Sequence, residues 1–341
     1  MEVVFLGFLF GAALAYARLN CFDTIVGMAL LKNFTMAKTM AFALGLGVVL
    51  MQAEIHLGWA SYHIKPLIVL GLIGGGVLFG MGMAILGYCP GTIVISLGQG
   101  NLDALVGIIG GLFGSLLFAV LYPGLAPLLG PDLGTPSVSS TLHDAALFWP
   151  LTLLIGVIFM GLALVLQRME GGGWRWLHAA VGLTFLNLLL NLPAVAGHPM
   201  GASTAFPFAV MALTHLGAES YWHKIAEPGA WELRFLIGAF LAGLVFSLYQ
   251  RQFRIVVVPS LWVRYHGTSV SKRGIWSFVG GVLILFGARM AGGCTSGHII
   301  SGGMQLAFSS MLFAAVVFPV FLLTGRLFYQ MREKPRRSGR G

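Results

Sequence analysis

This chain of 341 residues is 57% hydrophobic and only 9% charged, with a mean hydropathy of +0.89. Soluble domains carry roughly 25% charged residues, so the composition excludes a soluble globule and points to a polytopic membrane protein. A formal net charge of +9 would suit nucleic acid in a soluble chain; here its placement along the chain excludes that partner and favours lipid.

Each crossing of a hydrocarbon core about 30 Å thick takes about 20 apolar residues. In chain order, spans are predicted near 3–19, 37–57, 66–86, 104–122, 145–166, 176–196, 233–250, 275–292 and 306–328. Four apolar pieces between them, 22–31, 91–98, 200–214 and 296–303, are too short to cross. Non-spanning backbone at membrane depth is tolerated only when buried in protein or lining a cavity, so these read as short or re-entrant helices. The fold class expected is therefore an all-α integral membrane protein, with about nine transmembrane helices plus short re-entrant helices. The N-terminus has Glu2 where a secretory signal has basic residues, and no Lys or Arg precedes Arg18. Despite Ala15-Tyr16-Ala17, the first span is expected to be retained.

Placing the N-terminus outside puts sixteen Lys and Arg residues on the inner side and three outside. The inner set comprises Arg18, Lys32, Lys38, Arg168, Arg175, five in the 251–273 loop and six from Arg326 onward. The outer set is Lys65, Lys224 and Arg234, and Arg289 falls within a span. That asymmetry is a strong positive-inside signal, and it assigns the basic charge to anionic inner lipid rather than to nucleic acid. The outer segments hold more acids than bases, with Asp132, Asp144, Glu219, Glu227 and Glu232.

Two stretches 205 residues apart repeat one another without a gap. Gly75-Gly76-Val77-Leu78 matches Gly280-Gly281-Val282-Leu283; Gly82, Gly87, Cys89, Ile95, Ser96 and Gly98 match Gly287, Gly292, Cys294, Ile300, Ser301 and Gly303. Five further span starts separate the copies, an odd number, so they run in opposite directions through the bilayer. The expected architecture is an inverted repeat with pseudo-two-fold symmetry: residues 1–140 form one half, 141–330 the other, and 331–341 a basic cytoplasmic tail. Duplicated, Gly-broken apolar segments are the best sequence pointer to a transporter's central site.

The chemistry concentrates at those breaks. Gly87-Tyr88-Cys89-Pro90-Gly91-Thr92 and Gly292-Gly293-Cys294-Thr295-Ser296-Gly297-His298 each place a cysteine where one helix stops and another starts. Glycine lets the backbone leave helical geometry, while Pro or small hydroxyl residues suit a new first turn. The free N–H groups of that turn favour an anion. Cys21, in Ala17-Arg18-Leu19-Asn20-Cys21-Phe22-Asp23, holds a similar place after the first span, and His198 is its counterpart after the sixth by order alone. Arg289, an intramembrane charge, either draws in an anion or pairs with an acid. Gln99, Asn101 and Gln305 are hydrogen-bond candidates near short helix ends; Asn187 and Asn191 read as helix-to-helix glue. Gly110, Gly114, Gly238 and Gly243 read as close packing. Met81, Met83, Met290 and Met304 flank the cysteine motifs and read as packing rather than a metal path. Cysteines at 21, 89 and 294 have no zinc-ligand spacing, and no nucleotide-binding glycine motif with its Lys is present.

At these residues the chain resembles the YeeE/YedE family of sulfur-compound transporters. The resemblance is carried by Arg18-Leu19-Asn20-Cys21-Phe22, by Gly82 to Gly91 around Cys89, and by Gly287 to Gly303 around Cys294, and it extends over most of the chain. It implies an hourglass of nine spanning helices and several short ones whose loops meet at the centre. It also implies thiosulfate uptake across the bacterial inner membrane through three thiols, here Cys21, Cys89 and Cys294, that pass the anion inward by S–H···S hydrogen bonds. A small cytoplasmic sulfur-carrier protein is implied as the acceptor. Tyr88 and Pro90 stand where many relatives have glycine and small residues, which reshapes that side.

The expected function is thus inner-membrane uptake of thiosulfate or a closely related small sulfur-containing anion, without enzyme activity, cofactor or metal. The expected permeation residues are Cys21, Cys89, Cys294, Gly91, Thr92, Thr295, Ser296, Gly297, His298, His198 and Arg289. Two alternatives stay open: transport of another sulfur or selenium oxyanion, and a membrane sulfurtransferase working through a cysteine persulfide.

Overall fold

The computed structural model describes residues 1–142 and 144–330; the basic tail expected over 331–341 lies outside the described residues. Within them the chain is all helical, with two isolated backbone bridges and no strand. The first half of the chain forms α1 (Glu2–Tyr16), α2 (Phe22–Ala29), α3 (Thr35–His56), α4 (Val69–Leu86), α5 (Pro90–Gly98) and α6 (Leu102–Leu125). A short α7 (Val138–Thr141) and α8 (Ala145–Glu170) follow. Then come α9 (Arg175–Asn191), α10 (Ala205–Thr214), α11 (Glu219–Tyr249), α12 (Ser260–His266), α13 (Val270–Met290), a π-helical segment Ser296–Gly302, and α14 (Phe308–Gly325).

Seven helical stretches among the described residues are long and apolar enough to cross a membrane. Each of the nine predicted spans contains a helix, but α1 and α9 have only 15 and 17 residues, at or below the roughly 17–25 that a crossing takes. Length and composition therefore support seven crossings, and the nine-span count rests on those two short helices. Large apolar side chains such as Phe113, Leu154, Val157 and Ile158 are exposed around the periphery. In water they would form an aggregation-prone patch; against hydrocarbon they are at home.

The two repeated helices, α4 and α13, pack on each other. Gly71 lies against Met290, Gly75 against Gly287 and Ala291, and Gly82 against Gly280 and Ile284. Residue numbers rise along one helix as they fall along the other, so the pair is antiparallel. The contacts are also reciprocal: Gly75 meets the equivalent of Gly82, and Gly82 meets the equivalent of Gly75. A two-fold relation produces self-complementary contacts of this kind. A Cβ on Gly75 would stand 2.5 Å from the Gly287 carbonyl oxygen, and one on Gly287 2.6 Å from that of Gly75. Small residues at such crossings let backbones approach where lipid supplies no hydrophobic drive. Gly110, Gly114, Gly238 and Gly243 likewise abut the backbones of Phe278, Val282, Val4 and Ile95, as the packing reading expected.

Other contacts come in matching pairs. Helix α6 packs on α13 and α14 on α4; α1 packs on α11 and α9 on α3; α10 packs on α6 and α2 on α14. The residues after each short helix are held by backbone hydrogen bonds from a distant loop, Leu102 N–H to Val256 and Phe308 N–H to Pro136. Helix α8 packs on α3, where Gly45 and Gly156 meet.

Three charged residues counted at the surfaces are buried. Lys38 and Arg273, counted among inner-surface bases, are buried. Lys38 pairs with Glu170 at 2.7 Å and donates to Gln167, joining α3 to α8. Glu232, counted among outer acids, lies buried within α11, which starts at Glu219 rather than near 233. The earlier start follows from Tyr221, Ile225 and Trp231, which bury one face of the first turns.

Candidate functional site

Helix α4 ends at Gly87 with φ +76°, and Cys89 then adopts extended backbone as the N-cap of α5, with Pro90 in the first helical position. An L side chain in that left-handed conformation costs about 1–2 kcal/mol, and a Cβ there would also strike the Phe22 ring. The second copy breaks similarly: α13 ends at Met290, Gly292 has φ +72°, and Cys294 precedes the Ser296–Gly302 segment.

Each break leaves orphan carbonyls at a helix C-terminus, where positive charge is favoured. Below α4, the Arg273 guanidinium donates to Ile85 O at 3.2 Å and Leu86 O at 2.7 Å, and pairs with Asp103 at 2.6 Å. It also stacks over Phe22 and Trp262, and Tyr88 donates to the same Asp103. At the second break, His298 Nε2 lies 2.9 Å from Ala291 O, and Lys65 Nζ donates to Gly292 O at 2.6 Å.

The thiols sit inside these breaks. Cys89 and Cys294 are buried. The Thr92 hydroxyl accepts the Cys89 N–H at 2.9 Å and lies 3.3 Å from Cys89 Sγ, while Cys294 Sγ lies 3.1 Å from Ser296 Oγ. Both breaks face one loop, and Cys294 lies within electrostatic range of Cys89. Gly91 faces Ala202 of the α9–α10 loop, and Gly297 faces the Met200 carbonyl from that loop. A small cavity of about 20 Å³ adjoins Thr295, walled by Met28, Met36, Met40 and Met83. Met304 instead accepts a hydrogen bond from Asn187 at its sulfur.

Above Cys294 lies a cationic group. Lys65, from the segment between α3 and α4, stands over Gly293 and Gly297 and within electrostatic range of Cys294, Arg289 and Glu232. Its segment is tied down by the His63 N–H on Gln305 Oε1 (2.6 Å) and by the Ser309 hydroxyl on the Lys65 carbonyl (2.8 Å). Arg289 is buried and donates to Ser203 Oγ at 2.9 Å and Thr204 Oγ1 at 3.2 Å, while its Nε has no partner. No carboxylate lies within ion-pair distance of Arg289 among the described residues. Of its two expected roles, the acid pair is absent. Glu232 instead accepts the backbone N–H groups of Thr204 (2.5 Å) and Ala205 (3.3 Å), filling the N-terminus of α10 with a resident carboxylate.

Cys21 is the N-cap of α2 and is half-buried. Asn20 ties its loop to α5, donating to Gln99 at 2.8 Å and Ser96 at 3.2 Å, while Ser96 donates to the Asn20 carbonyl at 2.5 Å. Cys21 lies within electrostatic range of Tyr88, the neighbour of Cys89. On its other side it lines a polar cavity of about 250 Å³ with Arg18, Arg175, Arg254, Gln99 and Asn101.

Two expected residues have other employment. His298 is fully buried, with Nδ1 3.2 Å from Ser310 Oγ, Nε2 on Ala291 O, and its ring stacked on Phe313. Both nitrogens are engaged by protein, so it pins the break. His198 stacks on Trp231 at 4.2 Å and bonds the Pro199 carbonyl. The N-cap of α10 is Thr204. His198 lies within the longer loop before α10, whereas Cys21 caps α2 directly.

The family model described as sulphur transport matches residues 17–320. The chain belongs to the sulphur transport family. Its relatives include a protein named thiosulfate transporter TsuA from Spirochaeta thermophila, 26% identical over 335 residues, covering 90% of this chain and 92% of that one. A protein named probable transporter from Xylella fastidiosa is 32% identical over 96 residues, 28% of this chain and 59% of that one.

In this sulphur transport family member, sequence reasoning missed Lys65 beside the Cys294 break, Arg175 and Arg254 beside Cys21, and Ser203 and Thr204 as the partners of Arg289. Lys65 is an isolated base between α3 and α4, and it bonds a residue 227 positions away. Ser203 and Thr204 carried one usable signal, small hydroxyl residues before an apolar run. Arg175 and Arg254 carried none beyond their sign.

Proposed function

We propose that this protein carries thiosulfate, or a closely related small sulfur-containing anion, across the bacterial inner membrane, with its N-terminus outside and C-terminus in the cytoplasm. The observation that carries the reading is that both cysteine breaks face the same α9–α10 loop, Gly91 against Ala202 and Gly297 against the Met200 carbonyl. A dianion is not desolvated without partners. Lys65 and Arg289 replace part of its water on the outer side, and Cys294, Cys89 and Cys21 offer successive weak donors. Conduction needs binding favourable enough to enter and weak enough to leave, and thiols meet that condition while suiting a soft terminal sulfur. Thr92 and Ser296 hold the two central thiols; Gly91 and Gly297 keep the facing loop close. We assign His298 and His198 to support of the breaks rather than to cargo. The two halves are taken as related by a pseudo-two-fold axis through the α4–α13 crossing. Lipid surrounds the protein, and a small cytoplasmic sulfur carrier is the expected acceptor.

Uptake of radiolabelled thiosulfate by cells, wild type against Cys89→Ala and Cys294→Ala, tests this. Loss of uptake at normal membrane abundance is expected; wild-type uptake by either variant defeats the relay. A sulfur adduct of about +32 Da on Cys89 or Cys294 after turnover would assign the thiols to sulfur transfer instead.

A further inference from the structure

The cavity beside Cys21 is not explained by a route through the central thiols alone. It is polar, about 250 Å³, and three of its lining residues are arginines from separate parts of the chain. Arg18 leaves the end of α1 with a left-handed backbone, φ +57°; Arg175 opens α9; Arg254 lies in the α11–α12 linker. No Asp or Glu lines the cavity, and none of the three arginines forms an ion pair among the described residues. Arg175 is steadied by the Tyr16 ring, 5.6 Å away. Gln99, Asn101 and Gln252 add hydrogen-bonding groups to the wall. Asp23 lies within electrostatic range of Cys21 but outside the cavity lining, where it accepts from Ser260 Oγ and the Leu261 N–H. Three guanidinium groups around one polar hollow, with no carboxylate in its lining, are the recognition chemistry of an oxyanion.

We propose that this cavity is a second anion-binding site, specific for small divalent oxyanions, which receives the cargo beyond Cys89 and holds it beside Cys21 before release. The proposal rests on the transport reading for its place in the route, but the site's affinity for an oxyanion stands on its own residues. Its room exceeds one small anion, so the ligand is held with water. Bound there, an anion faces the Cys21 thiol and screens it from a second anion, making inward release sensitive to the oxyanion concentration on that side.

The test uses the whole protein in phosphatidylcholine nanodiscs, with modification of Cys21 followed by mass spectrometry of its peptide. The probes are the anionic sulfonatoethyl and cationic trimethylammonioethyl methanethiosulfonates. One-signed clefts raise local counter-ion concentration by 10- to 1,000-fold, so the anionic reagent is expected to react with Cys21 about tenfold faster or more. Millimolar sulfate or thiosulfate should slow it. Arg175→Gln with Arg254→Gln, both at exposed positions, should bring the two rates within about twofold as the focusing field is lost. Equal rates in the wild type, or an anionic preference that survives both substitutions and added sulfate, overturns the site. Protection by phosphatidylglycerol in the nanodisc but not by sulfate also overturns it, assigning the cavity to lipid headgroups. Cellular uptake separates the two readings. Charge preference at Cys21 with no uptake by wild-type protein sinks transport alone, whereas normal uptake with no preference sinks the second site alone.

Discussion

At the scale of single residues, the two central thiols differ from ordinary apolar fillers in their partners. Each sulfur has a hydroxyl within 3.3 Å, Thr92 donating to Cys89 and Ser296 beside Cys294, so each thiol is held by a polar neighbour rather than by apolar packing alone. Serine keeps a donor at that place but loses the soft sulfur. Cys294→Ser is therefore expected to retain slow uptake where Cys294→Ala retains none, measured as initial rates at matched membrane abundance. Arg289 makes a separate prediction. Its guanidinium is held by Ser203 and Thr204 and has no acid partner at ion-pair distance. Hydrogen bonds to charged groups contribute about 1.5–3 kcal/mol. Arg289→Gln should thus raise the half-saturating thiosulfate concentration about tenfold or more with little change in protein level. The thiol pair was legible in the sequence because both copies keep the same gapless spacing. Lys65 was not, since its role exists only where its chain end meets Gly292.

At the scale of elements, the breaks after α4 and α13 are built by the same backbone device and secured by different cations. Arg273 caps α4 and is compensated by Asp103; Lys65 and His298 cap α13. The Arg273–Asp103 pair is fully buried. Removing one partner of a buried pair leaves an uncompensated charge and costs about 3–5 kcal/mol. Arg273→Met is expected to lower the thermal unfolding midpoint in detergent, and Arg273→Met with Asp103→Leu to recover part of the loss. The recovery is partial because the Ile85 and Leu86 carbonyls stay uncapped. The α4–α13 crossing is equally exacting. Gly287→Val would drive a branched side chain into the Gly75 carbonyl and the Phe79 amide. It should abolish membrane accumulation, whereas Gly274→Val, with nothing within 4 Å of its Cβ position, should not. Helix positions and the four short pieces were readable from apolar runs and glycine breaks. The early start of α11 was not, because its first turns carry Glu219, Glu227 and Glu232 and look like a loop until Tyr221 and Trp231 find neighbours.

At the scale of the whole molecule, charge and topology are linked. Arg18, Arg175 and Arg254 converge on one cavity, as residues assigned to one side of the bilayer by the basic bias should. On the proposed route Lys65 sits at the other end, against Gly293 and Gly297 of the Cys294 break. A membrane-impermeant maleimide should therefore label Asp132→Cys in intact spheroplasts and Gly173→Cys only after lysis, both positions being exposed. The opposite pattern would reverse the proposed direction of passage.

The sequence by itself determined that the chain lives in lipid, that its apolar segments are broken at matched places, and that the breaks bear thiols. Those properties are local, arising from composition, spacing and the conformational freedom of glycine. Only the tertiary structure decided which charges attend the thiols, because Lys65, Arg289, Glu232 and the three cavity arginines come from distant segments. Burial and mutual distance, which give a charge its chemistry, exist only once those segments are folded together.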